Sequence, residues 1–169
     1  MPFKKVNAEE LRSLSEVFEQ AGARDPQAWA HSQLSEGIPQ LAIFSFAKAL
    51  WKGVVTEDDD SWIEDRIEAA AKYSNEPLAQ IGAALQEMLS KGVSRAAITD
   101  LVRVLQYDTL FHTSLILDGA LEEDVPITQW ALHQVDDEGK PVAIIQGLHE
   151  VLLGLDPTGR EMRPRESNC

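Results

Sequence analysis

The stretch from about Pro39 to Lys52 constrains the fold of this chain more than any other. Leu41, Ile43, Phe44, Phe46, Ala47, Leu50 and Trp51 cover most of a helix's circumference there. A helix that is apolar nearly all round must be covered on most sides, so it is expected to be the central element. It is not a membrane span. Gln40, Ser45, Lys48, Lys52 and Gly53 interrupt the apolar stretch between Ile38 and Val55.

The flanking segments supply the cover. Asn7 and Glu10 have the spacing of a helix-capping pair, and Leu11, Leu14, Val17, Phe18 and Ala21 then form one apolar stripe that ends at Gly22. Asp25 followed by Pro26 starts a second helix, because proline's missing N–H is harmless at the first helical position. Gly37 closes it. Beyond an acidic loop, Thr56 to Asp60, a capping box of Ser61 and Glu64 is expected to open a fourth helix with Trp62, Ile63, Ile67, Ala70 and Tyr73 on its stripe. A fifth helix is expected directly after Pro77 and a sixth, capped by Ser94, to run to about Leu117.

After Asp118-Gly119 the pattern changes. Thr128 to Val135 is rich in β-formers, Asp136-Asp137-Glu138-Gly139 is a turn signal, and Val142 to Ile145 reads as the return strand. A lone hairpin is marginal in water, so this one must pack on helices. Gly147 to Leu155 is expected as a short last helix and Asp156 to Gly159 as a turn. The reading is a mainly α fold: a compact bundle of about six helices with a small C-terminal β-hairpin. It is taken as a single domain over 1–169, with a helical core over 6–118, the hairpin within 127–146 and a frayed tail over 164–169.

Charge narrows the partners. The formal net charge is -13, and from Val104 to Gly139 there is no Lys or Arg at all. Such a chain is repelled by nucleic acid and by anionic lipid, so neither is expected as a partner. The single cysteine, Cys169, excludes an intramolecular disulfide and argues against a Cys-based metal site. Met1 to Lys5 leads into a polar helix signal, so no signal peptide is expected, and the chain is placed in the cytoplasm.

Chemistry-bearing patterns are sparse. The sequence holds no Gly-x-Gly-x-x-Gly, no Walker-type Gly-Lys-Ser/Thr and no Gly-x-Ser-x-Gly. No cofactor and no metal is expected. Asp108 and His112 share a helix face but lack a further ligand at metal spacing. Ala84 to Arg103 has the pattern of a helix-turn-helix, yet Asp100 lies between Arg95 and Arg103 in what would be the recognition helix. Glu57, Asp58, Asp59, Asp60, Glu64 and Asp65 form the densest carboxylate group, without the central glycine of a calcium loop.

The expected function is that of an acidic protein-binding domain that holds a basic protein partner. An immunity protein or antitoxin that neutralises a basic toxin is its concrete form. The residues expected to carry it are Asp58, Asp59, Asp60, Trp62 and Asp65, together with Glu122, Glu123 and Asp124. Trp62 is the expected aromatic anchor. No catalytic residue is assigned. The alternatives are an enzyme whose site is assembled from dispersed Asp108, His112, His133 and His149, or a regulatory subunit of a larger complex.

Overall fold

A computed structural model describes residues 6–120 and 130–165. Its elements are α1 (Ala8–Gln20), α2 (Pro26–Glu36), α3 (Gln40–Trp51), α4 (Ser61–Lys72), α5 (Gln80–Ser90), α6 (Arg95–Leu117), β1 (Leu132–Val135), β2 (Pro141–Ile145) and α7 (Leu148–Leu152), with a 3-10 turn over Leu153–Leu155. The fold is mainly α with a small C-terminal hairpin, as the periodicity implies. Two compact units can be told apart. The first is built from the chain up to Trp51 and from Phe111 to Glu161, the second from Lys52 to Leu110 and from Met162 onward.

In the first unit, α3 takes the role its composition demands. Ile43, Phe44, Ala47 and Trp51 are buried on it, while Ser45 and Lys48 reach solvent. Phe44 meets Phe18 of α1 and Trp29 of α2 in an aromatic cluster with centroid separations of 5.8 and 5.4 Å, both edge-on. Each such pair contributes about 0.5–1.5 kcal/mol beyond the area it buries. Polar side chains close the helix ends nearby. The Asn7 carboxamide oxygen accepts the N–H of Glu9 at 2.9 Å, and the Asp25 carboxylate accepts that of Ala28 at 3.0 Å. Gln33 accepts Leu41 N–H at 2.8 Å, which serves the start of α3. Gly37 ends α2 at φ 73°, a left-handed conformation that costs glycine nothing. Lys48 donates to the carbonyl of Ala21 at the end of α1. The Trp51 indole donates to Leu152 O at 2.9 Å and so ties α3 to α7.

The hairpin pairs Leu132 with Ile145, His133 with Ile144, Gln134 with Ala143 and Val135 with Pro141, with an irregularity after Gln134. Its turn is held by Asp136, whose carboxylate accepts the N–H groups of Glu138 and Lys140, both at 2.9 Å. Leu132 and Ile145 share the inward face, and Ile145 is buried. The helix expected over Gly147 to Leu155 is α7 followed by the tighter 3-10 turn, since Gly147 takes a left-handed φ of 78° and lies outside it.

The second unit is centred on Ile63, Leu85 and Ile98, from α4, α5 and α6, with Trp62, Ile67, Met88 and Val102 packed around them. α4 and α5 approach so closely at Gly82 that a β-carbon there would stand 2.4 Å from that of Ala70. Two local expectations are corrected here. The Ser61–Glu64 capping box does not form. Asp59 accepts Ser61 N–H at 2.9 Å, and Glu64 turns away to an ion pair with Arg95 at 2.5 Å. A charged partner outcompetes the reciprocal cap. The fifth helix starts at Gln80 rather than directly after Pro77, because Leu78 adopts φ 73°, which a right-handed helix cannot contain. Ser94 does cap α6, accepting Ala97 N–H at 3.2 Å.

Candidate functional site

Four of the acidic residues singled out by the sequence lie in the second unit, before and around the start of α4. Asp58, Asp59, Asp60 and Asp65 are all exposed. The Asp59 carboxyl is held below its ordinary pKa, first by a hydrogen bond from the Ser61 hydroxyl and then by the Ser61 backbone N–H. Glu122, Glu123 and Asp124 lie outside the described residues. Trp62 is half-buried rather than projecting, and its indole N–H donates to Thr99 Oγ1 at 3.2 Å.

The structure adds three residues to this group. Arg165 lies in the stretch expected to fray, and it is held. Its Nε is 2.5 Å from Glu57 Oε1, its Nη1 3.7 Å from Asp58 and its Nη2 3.5 Å from Asp100. Nη2 also donates to the Glu57 carbonyl at 3.0 Å. The Glu57 side chain is 7% exposed, so the guanidinium meets a carboxylate largely removed from water. A planar fork against converging carboxylates is the geometry arginine fits best. Arg165 thus brings Glu57, Asp58 and Asp100 around one guanidinium. Glu57 was visible in the acidic run. Asp100 and Arg165 carried no sequence signal, since each is remote from the run.

Asp100 also borders an apolar surface. On α6, Leu101 and Leu105 are 50% and 55% exposed, and Val104 is 46% exposed. Their spacing places Asp100, Val104 and Asp108 in one row, with Leu101 and Leu105 in the row beside it. Large apolar side chains left in water along one helix face, between acids, form a surface with an apolar centre and a charged rim.

The helix-turn-helix pattern resolves differently from a recognition helix. Arg95 is engaged by Glu64, and this bond raises its pKa further above the usual value against a small opposing desolvation. Arg103 is buried and donates to Val55 O at 2.9 Å.

Of the four histidine and aspartate residues considered for a dispersed site, Asp108, His112 and His133 are exposed. His149 has a different setting, in the first unit. Its Nδ1 is 2.6 Å from Asp118 Oδ2, and the same oxygen accepts its backbone N–H at 3.0 Å. Phe111 stands edge-on to the imidazole at 6.3 Å. The pairing spans 31 residues and has no local sequence signature. Among the described residues no group of three His, Cys, Asp or Glu side chains is placed to hold a metal ion, and no described helix is long and apolar enough to cross a membrane.

Comparison with protein-family models, with curated proteins and with solved structures finds no match.

Proposed function

We propose that this chain is an acidic protein-binding domain that takes up a basic, partly apolar segment of a protein partner. One observation carries the reading: the carboxylates that seat a guanidinium adjoin the exposed stripe of Leu101, Val104 and Leu105 through Asp100. A partner segment with an arginine or lysine beside an apolar side chain would satisfy both. Asp58, Asp59, Asp60 and Asp65 form the outer, wet part of this surface, where charge raises association rate more than affinity. Trp62 acts beneath it, and Glu122, Glu123 and Asp124 extend the acidic character of the chain. The internal engagement of Arg95 and Arg103 supports a protein over a nucleic acid as partner.

The concrete form of this reading is a cytoplasmic immunity protein or antitoxin that neutralises a basic toxin. Toxins that cut nucleic acid are basic because they bind phosphate. An inhibitor at -13 gains encounter rate by steering.

Affinity capture of the tagged chain from its host, at low and at high salt, identifies the partner. Titration of that purified partner against Leu105→Ala, Asp100→Asn and Trp62→Ala variants then tests the surface. The expected result is a basic partner whose affinity falls steeply with salt and drops at least about tenfold in Leu105→Ala. A partner bound equally well by all three variants, or none at either salt, overturns the reading.

A further inference from the structure

The second unit carries a half-open cavity of about 580 Å³ whose lining has a composition unlike that of the chain. That volume lies within the roughly 300–1,000 Å³ of small-ligand sites. Its apolar walls include Val54, Trp62, Ile81 and Val102. The chain is rich in acidic residues, yet among the described residues no Asp or Glu lines this cavity, whereas Lys52 and Arg66 both do. In so acidic a protein a cation ordinarily finds a carboxylate. Neither the Lys52 nor the Arg66 side chain makes a hydrogen bond or ion pair among the described residues.

Two further features belong to the same cavity. Leu78 lines it with φ 73°, a conformation leucine rarely adopts, while 71% of the residue faces solvent. A strained backbone that is not repaid by burial is characteristic of ligand clamps. Trp62 is fixed in place by its bond to Thr99, and Gln106, also in the lining, is fixed by accepting Val55 N–H at 2.9 Å. These two walls are therefore pre-organised.

We propose that this cavity binds an amphipathic monocarboxylate, with its apolar body along Trp62, Ile81 and Val102 and its carboxylate met by Arg66 and Lys52. The pairing follows from charge: two cations whose side chains have no partner among the described residues, in a lining that holds no described acid, favour an anionic head, and the apolar walls favour a hydrocarbon body. Leu78 would be covered by the bound molecule. Trp62 is shared with the protein-binding surface, but the ligand here is small and of opposite charge preference, so decanoate binding and partner capture are read separately.

Decanoate and decan-1-ol, titrated calorimetrically into the full chain, test it. Decanoate should bind, and Arg66→Gln should weaken it about tenfold while leaving decan-1-ol unchanged. Ala84→Phe, which fills the cavity from an exposed position of α5, should abolish binding with the helical circular dichroism intact. Absence of decanoate binding to the folded chain overturns the proposal. So does binding unaffected by Ala84→Phe, or an equal effect of Arg66→Gln on acid and alcohol.

Discussion

One carboxylate oxygen of Asp118 serves His149 twice, meeting its imidazole Nδ1 at 2.6 Å and its backbone N–H at 3.0 Å. The Asp118 side chain is only 3% exposed, and its second oxygen is buried without a hydrogen-bond partner among the described residues. The N–H it accepts is one of those left open at the start of α7. Asp118 thus caps that helix from the end of α6 and sets the tautomer of His149, with the proton on Nδ1 when the ring is neutral.

Replacing Asp118 with alanine removes both bonds and leaves two partly buried donors of His149 unserved. The expected loss is about 2–3 kcal/mol of stability, measured by urea denaturation. A double-mutant cycle with His149→Ala should show coupling above about 0.5 kcal/mol, since the residues touch. Additive effects would show that the contact contributes nothing.

Gly82 sets the distance between α4 and α5. Alanine in a helix interior usually stabilises by about 1 kcal/mol relative to glycine. Here the added methyl would lie 2.4 Å from the Ala70 β-carbon, and neither group can rotate away. Overpacking of this kind costs about 1–3 kcal/mol, so the clash prevails and Gly82→Ala is expected to destabilise. Ala70→Gly in the same chain should restore most of the loss, read as the recovery of the thermal midpoint.

Asp59 has a lowered pKa in the folded chain because Ser61 hydrogen-bonds its charged form. The unfolded pKa is then the higher of the two. The cap contributes at pH above the unfolded carboxylate value and is lost as pH falls through the folded one. A carboxyl NMR titration should place Asp59 below its own value in the unfolded chain, and Asp59→Asn should abolish the acid-dependent fraying of the first turn of α4. An Asp59 midpoint unchanged by unfolding would count against the cap.

Arg165 occupies the carboxylates that a basic partner would need. Arg165→Ala should therefore strengthen partner binding several-fold, mainly through a faster association rate at low salt. Glu57→Gln should weaken it. If Arg165→Ala weakens binding as much as Glu57→Gln, then Arg165 builds the surface rather than competing for it.

How much of this was legible in advance depends on distance along the chain. Asn7, Asp25-Pro26, Gly37 and Ser94 marked helix ends correctly because each acts on backbone groups within four residues. Asp136 held its turn for the same reason. The apolar circumference of α3 announced a buried element, since periodicity alone says how many sides must be covered. The capping box at Ser61 failed because Glu64 had a better partner in Arg95, 31 residues away. The Arg165 seat, the Asp118–His149 pair and the acid-free cavity share that character. Sequence by itself determined the helices, their stops and the hairpin, because local hydrogen bonds and side-chain period are written in neighbouring residues. Tertiary structure alone decided which charges meet, because a salt bridge or a cavity wall is chosen by packing among residues that have no spacing rule to connect them.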